Sequence, residues 1–299
     1  MAEHSDHVRV VEGGGGLRTL VRAALPALPG ANLLPGVKKT GSRLPDLELR
    51  REDVRVTRDE VDRYAAVCGF PTKDVAPVPY LHVLAFPLHM ALMTDASFPF
   101  PAIGSVHLEN SIIQHRPVTI GETVSLSLRA DNLRTITKGR AWDMNVTATV
   151  DGEVVWESVS TYLRVGKGNA SSSDPGTKPA SAFTAIEARG PVWDIPENTG
   201  RAYGAVSGDR NPIHLHPLTA KALGFPRHIA HGMWSKARCV AALENRLPDQ
   251  VRVEVAFKKP IFLPGKARFG AEANRSGWDF ALVNPGSGAP HLVGRTTAL

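Results

Sequence analysis

The sequence predicts an α+β chain in which one unit, helices followed by a mainly antiparallel sheet, is built twice. Three observations carry this. The 299 residues exceed the ~100–200 of a usual domain. Residues 166–182, GKGNASSSDPGTKPASA, hold no large apolar side chain and read as a linker between halves of similar size. Three segments also match in order across that linker. Tyr64-Ala-Ala-Val-Cys-Gly69 matches Tyr203-Gly-Ala-Val-Ser-Gly208, an offset of 203 − 64 = 139. His89-Met90 falls opposite His231-Gly232, an offset of 231 − 89 = 142. Arg116-Pro117-Val118 matches Lys259-Pro260-Ile261, an offset of 260 − 117 = 143. Ordered self-similarity of this kind marks an internal repeat.

Each element follows from its local pattern. In the first half, 58–67 reads as a helix and 80–94 as a second, apolar helix. Val106–Ile113, Thr123–Ala130, Trp142–Val150 and Val154–Val165 are alternating or β-branched and predict strands. Asp151-Gly152 between the last two is a hairpin turn. In the second half, helices are expected near 199–206 and 217–223 and from Gly232 to about Arg246. The last places Met233, Ala237, Val240, Ala241 and Leu243 mostly on one face, which can bury against a sheet. Strands follow at 251–258, 267–275, 278–283 and 291–298, with Asn284-Pro-Gly-Ser-Gly288 as the turn before the last.

Residues 1–49 read as a flexible leader with one short helix near Leu17–Leu25. Residues 13–45 carry Arg18, Arg22, Lys38, Lys39 and Arg43 and no Asp or Glu, the bias of a transit peptide. Against that, Glu3, Asp6 and Glu12 precede the stretch, and Pro26, Pro29 and Pro35 interrupt any amphipathic helix. Gly13–Gly16 lacks the preceding strand and the spacing of a nucleotide-binding loop. The expected organisation is leader 1–49, first repeat 50–165, linker 166–182 and second repeat 183–299.

Composition excludes several classes. With 42% hydrophobic and 21% charged residues, the chain can build a core and is not disordered as a whole. No run approaches the ~18 apolar residues of a membrane span. Cys68 and Cys239 lie far apart and adjoin no second thiol, which excludes a disulfide scaffold and fits a reducing, cytoplasmic setting. The net charge is +6, from 35 basic and 29 acidic residues. The basic residues are scattered, and the pairs Lys38-Lys39 and Lys258-Lys259 make no nucleic-acid groove. An anionic small molecule or an acidic carrier protein is the expected partner.

Chemistry concentrates in residues 203–233. Asp209 and His214 are five apart with Pro212 between them, so a helix end runs into a turn. Such a bend can aim a carboxylate and an imidazole at one water, as an acid–base pair. Gly232 opens the long helix, where N–H groups lack intrahelical partners and the dipole is positive. Glycine permits close approach of a ligand, and its N–H is the candidate oxyanion donor. Asn211 is expected to hold the turn or orient the water, and His231 to support the loop before Gly232. Ser207 lies outside a GxSxG motif and is assigned a hydrogen-bonding role. His216, before Pro217, is expected to cap the next helix. His214, His216, His228 and His231 fit no common zinc spacing, so no metal is expected. Arg227, Arg238, Lys258 and Lys259 are candidates for meeting phosphates, though solvation explains any one of them.

The ordered signature resembles the MaoC-like family, the (R)-specific enoyl-CoA hydratases and 3-hydroxyacyl-thioester dehydratases. Its residues are Ser207-Gly208-Asp209-x-Asn211-Pro212-Ile213-His214, then Ala222-Leu-Gly224-Phe225, then Ile229-Ala-His231-Gly232-Met233. The resemblance implies a hotdog fold, here in a single-chain double-hotdog layout over roughly 50–299. It also implies hydration of trans-2-enoyl thioesters, carried by CoA or acyl carrier protein, to (R)-3-hydroxyacyl products without a cofactor. Some relatives carry a serine nine residues after the histidine of the last motif; Val240 stands there instead. At the 139 offset Asp209 falls on Phe70 and His214 on Val75, and Met90 faces Gly232. The first half then reads as non-catalytic, with Pro77, Pro79, Pro87 and apolar residues shaping an acyl tunnel. One site per chain is expected, in a monomer or a homodimer. Rival readings are a hotdog acyl-CoA thioesterase, which needs only a water-activating carboxylate, and a non-catalytic acyl-thioester-binding protein.

Overall fold

The structure, a computed structural model, describes residues 8–11, 42–166, 183–184 and 186–299. The first half supplies β1 (Val8–Val10), β2 (Glu48–Arg55), helices α1 (Arg58–Cys68) and α2 (Tyr80–Thr94), then β3 (Ser105–Gln114), β4 (Thr123–Ile136), β5 (Gly139–Val150) and β6 (Glu153–Val165). The second supplies β7 (Val192–Ile195), α3 (Thr199–Ser207), α4 (Pro212–Leu215), α5 (Pro217–Ala222) and α6 (Gly232–Leu243). It closes with β8 (Val251–Phe257), β9 (Gly265–Asn274), β10 (Gly277–Val283) and β11 (Pro290–Ala298).

All eleven strands join one sheet in the order β1-β2-β4-β5-β6-β3-β8-β11-β10-β9-β7. Only β1–β2 is parallel. Outward from the β3–β8 seam, the two sides run β3-β6-β5-β4-β2 and β8-β11-β10-β9-β7, the same succession of strands in each half. At the seam Asn110 faces Val255, Ser111 faces Glu254 and Ile112 faces Val253. Since 253 − 110 = 255 − 112 = 143, the pairing is symmetric under the offset read from the Arg116 and Lys259 segments. A local twofold therefore passes through Ser111–Glu254.

The sheet wraps helices that are buried on most sides. In α2, Leu81, Leu84, Ala85, Leu88 and Leu92 are buried. In α6 the buried set is wider than the expected stripe and includes Trp234, Lys236 and Cys239. Asp151 and Gly152 adopt φ of +50° and +82°, the left-handed pair that a tight hairpin needs. Cys68 and Cys239 are both buried free thiols. Among the described residues no helix is long and apolar enough to cross a membrane.

The repeat needs one correction. Gly69 and Gly208 cap α1 and α3 in the same left-handed conformation, so the 139 offset holds there. The isolated bridges Val75–Thr119 and Ile229–Phe262 then pair Val75 with Ile229, an offset of 229 − 75 = 154. The second half thus carries 154 − 139 = 15 extra residues, and these hold α4 and α5. His214 has no counterpart at Val75. His89 lies inside α2, whereas His231 is the N-cap of α6, so their apparent match, and that of Met90 with Gly232, fails. A shorter connection after α6 restores the 143 offset, which made the drift look slow.

Other differences are local. Val8–Val10, inside the stretch read as leader, pairs with Glu48–Arg50 at its end, and β2, β7 and α4 were not expected. Pro212 begins α4 rather than ending a helix, because proline is tolerated where its missing N–H would be unpaired anyway. The expected helix near Leu17–Leu25 and residues 167–182 lie outside the described residues.

One polar side chain crosses the core. Lys236 of α6 is fully buried. Its Nζ donates to Asn110 Oδ1 on β3 and to the Val253 carbonyl on β8, the latter at 2.9 Å. Asn110 Nδ2 donates onward to Ser158 and Ser160 Oγ, both at 3.0 Å. Lys236 thus ties the seam strands of the two halves to one helix. Burial holds its pKa well below the ordinary 10.5. Lys236→Ala is expected to lower unfolding stability by about 3 kcal/mol, by lost hydrogen bonds and a cavity. The unfolded chain binds the extra proton up to pH 10.5, so the wild type gains stability as pH rises toward that value and the gap to the alanine variant widens. Urea midpoints at two pH values check both statements.

Candidate active site

The extra segment is wound by its own side chains. After Gly208 ends α3 with φ +76°, the Asp209 N–H donates to Ser207 Oγ at 3.2 Å. The Asn211 N–H donates to Asp209 Oδ1 at 3.1 Å, and the Ile213 N–H to Asn211 Oδ1 at 3.3 Å. Asn211 is thereby the N-cap of α4, and His216 Nδ1 caps α5 by accepting from the Leu218 N–H at 3.2 Å. These are the local hydrogen bonds that Ser, Asn and Asp offer a turning backbone. Gly200 lets α3 lie directly on α4: a Cβ there would stand 1.9 Å from the His214 carbonyl oxygen.

This winding brings three groups together. Asp209, His214 and His231 each place one carboxylate oxygen or imidazole nitrogen within 4.8 Å of the others. His214 is buried and its Nδ1 lies 2.8 Å from the Ile229 carbonyl. A carbonyl only accepts, so Nδ1 carries the proton and Nε2 keeps a lone pair. His231 Nε2 donates to the Asp209 backbone carbonyl at 3.0 Å and sits 3.8 Å from Asp209 Oδ2. The His231 ring stacks on His214 at 3.7 Å between centroids, with Tyr203 at 4.9 Å on another side. His231 therefore locks the Asp209 turn to the N-cap of α6 and supports the His214 ring.

The surroundings shift both titrating groups. Burial raises the Asp209 carboxyl above its ordinary 3.8, against the pull of His214 and the Asn211 N–H. Burial lowers His214 below 6.5, against the pull of Asp209. Yet 28% of the Asp209 side chain stays exposed, so a substrate can reach it. Three such donors could ligate a cation: each imidazole commits one nitrogen to a backbone carbonyl and keeps the other.

Ser207, Asp209, Asn211, His214 and His231 thus converge. Gly232 follows His231 as the first residue of α6, where the leading N–H groups lack acceptors within the helix. Its Cβ position would lie 3.1 Å from the Phe257 ring. Among the basic candidates, Arg238 lies over Trp193 at 4.4 Å and Arg227 over Phe262 at 5.8 Å. Tyr203 and the Ile229 carbonyl were not anticipated. Tyr203 was visible only as a repeat match, and a backbone carbonyl leaves no mark in residue identity.

Known proteins resolve what such a site belongs to. A family model described as a MaoC-like domain matches residues 172–277. The chain is 37% identical over 284 residues to 3-hydroxyacyl-thioester dehydratase X of Mycobacterium tuberculosis, covering 95% of this chain and 98% of that protein. The chain belongs to the MaoC-like family. Family membership makes it a hydro-lyase. The crystal structure of HtdX from Mycobacterium tuberculosis superposes with a TM-score of 0.73 at 36% identity, covering 84% of this chain and 100% of that one. A further Mycobacterium tuberculosis protein, described as a double hotdog, shares the fold at 11% identity and a TM-score of 0.53, covering 86% and 98% of the two chains. The (R)-specific enoyl-CoA hydratase of Aeromonas caviae matches over 66 residues at 35% identity, which is 21% of this chain and 49% of that protein. The architecture is accordingly an α+β double hotdog, as the family resemblance implied.

Gly200 offers a test that leaves every polar side chain in place. Gly200→Ala must push α4 off α3, and displacement of the candidate acid–base pair by about an ångström is expected to lower kcat on the order of 100-fold. Turnover in the folded variant, with folding checked by circular dichroism, measures it.

Proposed function

We propose that the chain catalyses reversible hydration of trans-2-enoyl thioesters, on CoA or acyl carrier protein, to (R)-3-hydroxyacyl thioesters. The observation that carries this reading is the approach of the Asp209 carboxylate and the His214 imidazole to within 4.8 Å beside the tip of α6. Two hydrogen bonds of ordinary length meeting at one water oxygen span roughly 4.5 Å. A single water can therefore donate to both groups.

The chemistry follows from that water. One of its protons passes to the Asp209–His214 pair as its oxygen bonds C3. The C2–C3 π electrons move to the thioester oxygen, where the Gly232 N–H at the positive end of α6 stabilises the charge. The enolate collapses by taking the proton back at C2. Both additions come from one face, which accounts for a single stereochemical outcome. Asn211 and Ser207 hold the turn that carries Asp209, and His231 fixes the His214 ring. Dehydration is the same sequence reversed. The first half supplies no counterpart of the pair; at the 139 offset Phe70 stands where Asp209 does. That half lines the acyl tunnel, and chains longer than four carbons are accepted.

Loss of enoyl-thioester absorbance on mixing with crotonyl-CoA or dodecenoyl-CoA tests the reaction. Asp209→Asn and His214→Ala are each expected to lower kcat by roughly 10²–10⁴-fold. Release of free CoA thiol without loss of the double bond would establish a thioesterase instead, and activity confined to crotonyl-CoA would remove the long tunnel.

The pH profile tests the pair independently. His214 stays neutral at and above its ordinary 6.5 because burial lowers it. The acid limb of kcat/KM is therefore set by protonation of the pair, with His214 lowered below its ordinary 6.5 and Asp209 raised above its ordinary 3.8. Activity is expected to be level from about pH 6.5 upward and to fall only at lower pH. A limb centred on 6.5 would contradict this assignment.

A further inference from the structure

A second polar cluster lies in the first half, outside the acid–base site. His82 and His89 of α2 meet at 5.1 Å between ring centroids, and His107 of β3 lies 6.1 Å from His82. The His107 ring stacks on Tyr162 of β6 at 4.6 Å, and the Tyr162 hydroxyl is 3.4 Å from His89 Nδ1. His82, His89 and Tyr162 are buried. Among the described residues, His82 Nδ1, His89 Nε2 and His107 Nε2 are buried atoms without a hydrogen-bond partner. Buried polar atoms nearly always have one. Three orphans on rings that touch one another mark a place that receives a polar group.

Two aromatic rings connect this cluster to the acid–base site. Phe86 packs beside His89, with 6.4 Å between ring centroids, and lies 3.9 Å from the Cβ position of Gly208, the residue before Asp209. Phe257 lies 5.0 Å from His107 and walls Gly232 on the other side. Phe86, His107 and Phe257 are half-buried, so the cluster is not sealed from its surroundings. Tyr162 is also near enough to Asp209 for the carboxylate charge to disfavour its ionisation, after burial itself. Burial holds His89 and His107 down to about 3. At neutral pH these imidazoles are therefore uncharged, each with one donor and one acceptor nitrogen. Neutral donors and acceptors suit a hydroxyl or keto oxygen better than an anion.

We propose that His82, His89, His107 and Tyr162 form a specificity site for a hydroxyl or keto oxygen on the acyl chain, beyond C3 of the substrate. This rests on the enoyl-thioester reading above. The aromatic pair grips the chain next to the reacting carbons, and the histidines bind an oxygen about one ring's width further along. An unsubstituted chain leaves the orphaned nitrogens unpaired; an oxygenated chain pairs them.

The experiment compares kcat/KM for dodecenoyl-CoA with a set of hydroxydodecenoyl-CoA isomers in which the hydroxyl is moved along the middle of the chain. The wild type is expected to prefer one isomer by about tenfold, the fold-change of one good net hydrogen bond. His89→Leu is expected to bring that ratio toward one. Tyr162→Phe, which removes only a hydroxyl group and keeps the ring stack, is expected to lower it as well. A wild-type ratio of one or less for every isomer overturns the proposal, as does a ratio unchanged in both variants. If no thioester in the set loses its double bond, the hydratase reading itself falls, and the specificity site falls with it.

Discussion

The pairing of β3 with β8 is the constraint on which the rest of the molecule depends. Each half alone would end in an open strand edge, with a row of unpaired N–H and C=O groups. Joining at that edge makes one sheet of eleven strands. The register leaves little freedom, because a slip of one residue would turn Ile112 and Val253, both buried, to the opposite face. Lys236 reinforces the same line from within, since its Nζ reaches both seam strands at once. The site inherits this rigidity: His231, the N-cap of α6, stands five residues before that lysine on the same helix.

On this frame the proposed acid–base pair, Asp209 and His214, is subject to opposed effects. Desolvation alone would neutralise the carboxyl and the imidazole separately, while their mutual attraction favours the ionised forms. The result is a carboxyl shifted up and an imidazole shifted down, which brings their proton affinities closer together. Groups matched in this way pass a proton with a small driving force in either direction, which suits a reaction run reversibly. The hydrogen bond from His214 Nδ1 to Ile229 decides which nitrogen keeps a lone pair, and a backbone atom is a dependable partner because no side-chain substitution removes it.

Much of this was legible in the sequence. The apolar helix 80–94, the hairpin at Asp151-Gly152 and the four long strands that end each half follow from periodicity and turn chemistry, which are local. The convergence of Asp209 and His214 was legible because Asn211 and Pro212 encode the intervening bend. What was not legible depended on distant partners. Val8–Val10 is a strand only because β2 lies beside it, and β7 is too short to show alternation. The match of His89 with His231 failed for a related reason: two residues carry too little information to expose an insertion, and the insertion was the segment that holds His214. The histidine cluster was hidden because its members come from three separate elements, and each alone reads as an ordinary core residue.

The covalent continuity of the two hotdogs has a consequence for working concentration. Where such halves are separate molecules, the seam between them assembles by a bimolecular encounter and opens as the protein is diluted. Here both halves belong to one chain, and the contact between them is governed by a local effective molarity rather than by how much enzyme a cell contains. The two halves are also freed from having the same sequence. On the proposed function, one keeps the reactive residues while the other diverges toward recognising an acyl tail, a division of labour closed to a homodimer built from identical halves.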